Sequence, residues 1–144
     1  MKVLLDEDVP VPLVELVRHV LREHHVDHVY TVGWGRKTDV NLYRDARARG
    51  YEVVVTNNLR QLNDPVECDA IKKSGRHVVF YTLESGLQGL ALASGAICAA
   101  IRPVITNLEG RSQQHLVWIT GLAASKRRYT IKNPATDAVS AYWR

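Results

Sequence analysis

The sequence predicts a single-domain α/β fold with three layers, α/β/α, around a mainly parallel central sheet. Short apolar or β-branched segments alternate with amphipathic segments along the chain. The segment 51–56 (YEVVVT) is almost entirely apolar or β-branched, which is typical of a strand buried on both faces. Strands that alternate with helices are expected to form a parallel sheet through right-handed crossovers.

Length, composition and charge suit one globular domain. Of the 144 residues, 46% are hydrophobic, and we expect one domain over 1–144, with a core of about 1–110 and a C-terminal extension of about 111–144. The net charge of +4 permits RNA binding without being diagnostic of it. Two isolated cysteines and the lack of a signal-peptide pattern after Met1 lead us to expect a cytoplasmic protein.

The first half of the chain predicts three strands and two helices. In order, these are a strand at 3–5, a helix at about 12–23, a strand at 26–32, a helix capped by Thr38 or Asp39 that ends at Gly50, and a strand at 51–56. In the first helix, apolar residues recur at helical spacing and Pro12 suits its first turn.

The second half predicts two more helices and a C-terminal β-hairpin. Asp64, Pro65 and Glu67 form the start signal of a helix that runs to Ser74 and stops at Gly75. The segment 77–82 (HVVFYT) reads as the next strand, and a long helix follows Gly86. The segment 115–120 (HLVWIT) predicts a further strand, which we expect to pair with 128–132 (RYTIK) as a hairpin extension.

The long helix after Gly86 has apolar residues spaced by threes and fours, which predicts a face buried in the core. Its small residues make a homodimer face the second interpretation. Gln88, Ser94, Arg102 and Pro103 argue against a membrane span, so we expect no membrane contact.

Polar side chains follow the first and third predicted strands and open the second helix. Asp6 and Asp8 end the first strand, where alternation places them on one side and Glu7 elsewhere. Asp39 opens the helix, and Asn58 follows the third strand. In a parallel sheet these positions converge at one edge, where ligands bind. Neighbouring carboxylates repel each other unless a cation or basic group lies between them.

Carboxylate and amide oxygens are hard ligands that suit Mg²⁺ or Mn²⁺. An ion of this kind hydrolyses phosphodiesters by polarising the phosphoryl group and activating a bound water. The simpler alternative is that the acids cap helices, as Asp commonly does, and that Asn58 occupies a turn.

Three short motifs, in this order, resemble a PIN-like domain, the nuclease fold used by VapC-type toxins. They are 4–10 (LLDEDVP), Thr38 and Asp39 at the start of a helix, and 54–58 (VVTNN) after a strand. The resemblance covers roughly the first two thirds of the chain, including HVVFYT and the helix after it. It implies a metal-dependent endoribonuclease, a toxin neutralised by a cognate antitoxin protein, with Asp6 and Asp39 as metal ligands.

The chain departs from the pattern at two positions. The resemblance implies an acid where Asn58 stands and often an Asn where Asp8 stands. Our leading hypothesis is therefore an endoribonuclease in which Asp6, Asp8 and Asp39 bind Mg²⁺ or Mn²⁺. The catalytic residues would be Asp6, Asp39 and Asn58.

Three cations near the same edge, Arg36, Lys37 and Arg60, are candidates for RNA binding, although each taken singly is explained by a solvated loop. A second hypothesis is a PIN-like binding or assembly module that has lost catalysis. A third is a response-regulator-like domain, in which an Asp accepts phosphate, but no Asp ends the third strand.

Overall fold

The computed structural model describes residues 1–123, 126–138 and 140–142. Five strands and four α-helices alternate along the chain, with one short 3₁₀ helix. They are β1 (Lys2–Leu5), α1 (Leu13–Val20), β2 (His25–His28), α2 (Asp39–Ala48), β3 (Val53–Thr56), the 3₁₀ helix (Leu59–Asn63), α3 (Pro65–Ser74), β4 (His77–Phe80), α4 (Gly86–Leu108) and β5 (Leu116–Trp118).

The strands form one parallel sheet in the order β2-β1-β3-β4-β5, which confirms the predicted α/β class with a parallel sheet. The chain winds outward from β1 to β2 and then returns past β1 to β3. Leu5 of β1 lies in register with Val55 of β3, so the residues that follow each of them lie next to each other. The reversal places a crevice between the carboxyl ends of these two strands, where doubly wound sheets bind ligands.

Two apolar clusters cover the two faces of the sheet and give it three layers. Leu5, Val55 and Val79 face the cluster that contains α1 and α4. Leu4 and Val54 face the opposite cluster, which contains α2 and α3. All five side chains are at most 1% exposed, as expected for strands covered on both sides.

The helix signals in the sequence are confirmed at α2 and α3. The Thr38 hydroxyl caps α2 by accepting from the Asn41 amide at 3.4 Å, which leaves the Asp39 carboxylate free for other contacts. Asp64 caps α3 through two backbone amides, and Gly75 ends it with a φ of 68°. Several predicted elements were too long at their ends. α1 stops at Val20 instead of 23, β2 at His28 instead of 32, β4 at Phe80 instead of 82 and β5 at Trp118 instead of 120.

The predicted C-terminal hairpin is not confirmed. β5 lies parallel to β4, and the described residues 126–138 contain no strand. Tyr129 and Ile131, the apolar residues of RYTIK, are 66% and 74% exposed. Without an apolar surface to cover, this segment lacks the burial that stabilises a strand pair.

One face of the long helix α4 is buried in the core. By length and apolar composition it could cross a bilayer, and 33% of that apolar window is buried within the protein. Ile97, Ile101 and Ile105 are at most 1% exposed and pack on the sheet. The prediction that the apolar residues of this helix form a face buried in the core is therefore confirmed.

Gly89 permits a close approach between α4 and the loop before it. A Cβ at this position would lie 2.0 Å from the Glu84 carbonyl oxygen, a backbone atom that moves only with its loop. We expect Gly89→Ala to lower the free energy of unfolding by about 2 kcal/mol, because overpacking exceeds the gain in helix propensity. Urea denaturation measures this change.

Gly95→Ala is the matched control on the same helix. Its Cβ would lie 3.1 Å from the end of the Leu122 side chain, which is able to rotate away. We expect this variant to be as stable as the wild type or more so, because alanine favours the helix. Equal losses in both variants would contradict the close approach at Gly89.

Candidate active site

The acids that follow β1 fold back against the end of β3. Asp6 continues the sheet by one residue, since its amide donates to the Val55 carbonyl at 2.9 Å. A turn then forms, in which the Val9 amide donates to the Asp6 carbonyl at 3.0 Å. Val9 is fully buried and anchors the turn. Asp8 is thereby directed to β3, where both of its carboxylate oxygens accept from the Asn57 amide at 3.1 Å.

The hydroxyl of Thr56 lies between the two carboxylates. Its oxygen is 2.9 Å from Asp6 Oδ2 and 2.9 Å from Asp8 Oδ2, and it accepts from the Asn58 amide at 3.1 Å. A hydroxyl carries one hydrogen and fully satisfies one of two such acceptors. Asp6 is only 7% exposed, so water does not readily make up the difference. Thr56 was not among the predicted site residues.

Asp39 joins this group through Asn58. The side-chain amide of Asn58 donates to Asp39 Oδ2 at 3.2 Å, so the first residue of α2 is tied to the end of β3. The structure thus brings together four predicted residues, namely Asp6, Asp8, Asp39 and Asn58. Among the described residues, however, no three His, Cys, Asp or Glu side chains converge as a ready metal cluster. Asp6 and Asp8 are the two acids that share one contact, the hydroxyl of Thr56.

The electrostatics of the site disfavour its negative charge. Burial, followed by the charge of Asp8, raises the pKa of Asp6 to about 6, against the lowering effect of the Glu7 amide and the Thr56 hydroxyl. Burial also raises the pKa of Asp8. Within the described residues, no Lys, Arg or His forms an ion pair with Asp6, Asp8 or Asp39. The carboxylates therefore lack a neutralising cation from these parts of the chain.

Two buried tyrosines lie close to the acids. The Tyr81 hydroxyl donates to the Asp8 carbonyl at 3.0 Å, and the Tyr43 hydroxyl donates to Gln61 Oε1 at 2.9 Å. Burial and then the nearby carboxylates raise the pKa of both phenols, so they remain neutral donors. Gln61 is fully buried, and its Nε2 is without a hydrogen-bond partner among the residues that the structure describes. Sequence reasoning missed all three, since a single Tyr or Gln gives no distinct signal of a site.

The site opens to solvent as a cleft of about 560 Å³. Its walls include Asp6, Glu7, Asp8, Lys37, Asp39, Asn57, Asn58, Leu59, Arg60 and Leu83. The cleft is wide and polar, which suits a charged, extended ligand better than a small apolar one.

The three predicted RNA-binding residues differ in their positions. Lys37 and Arg60 line the cleft, and Arg36 does not. Lys37 Nζ is 2.5 Å from Asp45 Oδ2, so much of its charge is already neutralised. The Arg36 backbone amide donates to Glu7 at 3.2 Å, and Arg36 has a φ of 63°, a left-handed conformation rare outside glycine.

Comparisons with protein-family models, with curated proteins and with solved structures found no match.

Proposed function

We propose that this chain is a metal-dependent endoribonuclease of the PIN-like class that hydrolyses RNA phosphodiesters. The observation that carries the proposal is the contact of one Thr56 hydroxyl with two carboxylates, Asp6 and Asp8, at 2.9 Å each. One hydrogen serves two acceptors, and two negative charges lie close together. A divalent cation relieves both problems by binding the unsatisfied oxygens.

The donor chemistry of the cleft fits Mg²⁺ or Mn²⁺. These ions accept carboxylate oxygens, keep several waters and are often held by one or two carboxylates together with substrate phosphate. Asp6 and Asp8 would hold such an ion, with Asp39 as the third carboxylate of the predicted ligand set. When bound, the ion would polarise a phosphoryl oxygen and lower the pKa of a bound water.

The chain itself orients each acid. The Glu7 amide donates to Asp6 Oδ1 at 2.8 Å, which holds that carboxylate in the crevice. The Asn57 amide holds Asp8, and the Asn58 side chain holds Asp39. Such hydrogen bonds fix the direction of the oxygens before a ligand arrives, which is how supporting residues tune a metal site.

The proposal includes a biological setting. The resemblance to VapC-type toxins supports a toxin of a toxin-antitoxin pair, active on RNA in the cytoplasm and inhibited by a bound cognate antitoxin. The support consists of the order of three motifs, at 4–10, at 38–39 and at 54–58. A gene for a small DNA-binding protein next to this one is the expected genomic observation.

The test is cleavage of a fluorescently labelled RNA in the presence of Mn²⁺. We expect Asp39→Asn to lower the rate about 100-fold, because it removes a charge from the proposed ligand set while keeping the contact to Asn58. Asp69→Asn is the control, since Asp69 is paired with Lys73 on the exposed part of α3. Absence of cleavage by the wild type under any divalent metal would contradict the proposal.

A catalytically degenerate PIN-like binding or assembly module is the second candidate. It is favoured by the amide of Asn58, which stands where the resemblance implies an acid, and by the lack of a three-acid cluster in the described residues. Calorimetric titration with Mn²⁺ separates the two candidates. Tight binding that Asp39→Asn abolishes counts against the degenerate module.

The response-regulator alternative ranks third. The strand order β2-β1-β3-β4-β5 is the one that such receiver domains share with flavodoxin. β3 ends at Thr56 and is followed by two asparagines, so the end of β3 carries no carboxylate to accept a phosphoryl group.

A further inference from the structure

The net positive charge of this chain comes from its C-terminal segment. Residues 1–123 contain fourteen Lys and Arg and fourteen Asp and Glu, and so have no net charge. Residues 124–144 contain five Lys and Arg and a single Asp, which accounts for the whole excess of +4. A polyanion is therefore attracted mainly by this segment.

The described residues that lead into this segment lie at the edge of the sheet where the acidic cleft opens. After β5, the Ile119 amide donates to the Phe80 carbonyl at 2.8 Å, and a Cβ on Gly121 would lie 3.2 Å from the Thr82 hydroxyl. Leu83, which follows Thr82 in the chain, lines the acidic cleft. The described residues just before the basic segment thus lie beside the end of β4, at the carboxyl edge of the sheet.

The first described residues of the basic segment contact Ala123, which lies two residues after Gly121 in the chain. The Lys126 amide and the Arg128 guanidinium both donate to the Ala123 carbonyl, at 3.2 Å and 2.5 Å. We call the described residues 126–132 the basic arm. Its four cations are Lys126, Arg127, Arg128 and Lys132.

The arm presents cations and an aromatic ring to solvent. All of its residues are exposed, and none of its cations forms an ion pair with a carboxylate in the part of the chain that the structure describes. Tyr129 is 66% exposed, and the Arg127 guanidinium lies 5.4 Å from the centre of its ring. Cations beside an exposed aromatic ring are the means by which proteins hold unpaired nucleic acid.

The cleft alone is a poor attractor for RNA. Four carboxylates line it, and of its two cations Lys37 is already paired with Asp45. The net field at the cleft therefore repels phosphates until a metal is bound. Attraction of RNA over distances near the Debye length of about 8 Å must therefore come from cations at the border of the cleft.

We propose that the basic arm binds single-stranded RNA, with its four cations on the phosphates and Tyr129 stacked on a base. The arm guides the strand toward the acidic cleft, whose own charge opposes it. The proposal rests on the proposed ribonuclease function, because it names the element that binds the substrate of that same site.

Its test is binding of a labelled single-stranded RNA, followed by fluorescence anisotropy over a range of salt concentrations. The full chain carries Asp6→Asn and is kept in chelator, so that no cleavage takes place. We expect the triple change Lys126→Ala, Arg127→Ala, Arg128→Ala to lower the slope of log K against log salt by about 2, since each single-strand phosphate contact contributes roughly 0.7.

A matched control removes the same charge from other surfaces. Arg22, Lys72 and Arg102 are exposed and take part in no ion pair among the described residues. Their combined change to alanine is expected to lower the slope by less than about 0.5, because they make no phosphate contact. Tyr129→Ala should weaken binding about tenfold at an unchanged slope, as expected for the loss of one stacked base.

Three outcomes would contradict the proposal that the basic arm binds RNA. Equal effects of the arm triple and the control triple would mean that only net charge matters. Unchanged RNA binding, together with lost binding to polyglutamate, would assign the arm to an acidic protein partner instead. Weak RNA binding that no arm variant alters would place the binding site elsewhere. If the wild type does not cleave RNA but binding still depends on the arm, the result would contradict the proposed ribonuclease function and not the proposed RNA binding by the arm.

Discussion

Replacing Asp6 with asparagine is expected to lower the rate of RNA cleavage strongly and, at neutral pH, to make the folded protein more stable. The two effects have one cause, the buried carboxylate next to Asp8. Its pKa is raised from 3.8 to about 6, first by burial and then by the charge of Asp8. Holding it ionised at pH 7 therefore lowers the free energy of unfolding by about 3 kcal/mol, at about 1.4 kcal/mol for each pKa unit.

Asparagine also resolves the hydrogen bonding of the site. Its Oδ1 keeps the contact to the Glu7 amide, and its amide group takes the place of Asp6 Oδ2 beside Thr56. The Thr56 hydroxyl then accepts from this amide and gives its single hydrogen to Asp8. The Thr56 hydrogen then has one acceptor instead of two, and a pair of like charges is removed.

The same change should lower the cleavage rate by about 10³-fold. A bound metal stabilises transition-state charge by several kcal/mol, and the neutral amide of asparagine binds it less well than a carboxylate. Opposite changes in stability and activity are typical of a residue kept for function rather than for the fold.

Urea denaturation at pH 7 in chelator, together with the RNA cleavage assay, measures both effects. Asp27→Asn is the matched control, since Asp27 is also a strand carboxylate. Burial alone would raise the pKa of Asp27, but hydrogen bonds from Tyr51 and His25 outweigh it and lower the pKa. That variant should lose stability. A loss of stability in Asp6→Asn as well would contradict the strained pair of carboxylates.

Acidification is expected to stabilise the wild type relative to Asp6→Asn. Because the pKa of Asp6 is higher in the folded protein than in the unfolded chain, the folded state binds the extra proton. The resulting stability is fully present below pH 3.8 and is lost as the pH rises through about 6. The advantage of Asp6→Asn, about 3 kcal/mol at pH 7, should therefore shrink toward zero by about pH 4.

The comparison between the wild type and Asp6→Asn separates the pH dependence of stability due to Asp6 from that due to the other acids. Asp27 and Asp45 have lowered pKa values and lose their stabilising effect on acidification in both proteins. Denaturant midpoints from pH 4 to pH 7.5 measure the difference. A difference that stays constant across this range would show that Asp6 titrates normally.

Stabilisation by Mn²⁺ is an independent test of the Asp6 and Asp8 pair. At pH 7 and 100 times its dissociation constant, an ion that binds only the folded state adds about 2.7 kcal/mol of stability. We expect this gain in the wild type and little of it in Asp6→Asn. Equal gains in both proteins would place the metal away from the pair.

Much of the fold could be predicted from the sequence, because the signals involved are local. Capping at Asp64, the stop at Gly75 and the uninterrupted apolar strand before Thr56 depend on neighbours in the chain, and all three appear in the structure. The ends of α1 and β2 were overextended, since apolar residues continue past them into turns. The hairpin at 128–132 is not confirmed, because β propensity without a surface to cover does not form a strand pair.

The sequence by itself determined the class of fold and the acidic character of one edge of its sheet, because apolar periodicity sets strands and helices, and acids after β1 can reach only that edge. Only the tertiary structure decided how the acids relate. It placed the Thr56 hydroxyl between Asp6 and Asp8, and it tied Asp39 to Asn58. These contacts join residues from 19 to 50 positions apart, so they depend on the register of β1 with β3 and on the docking of α2, which no local pattern specifies.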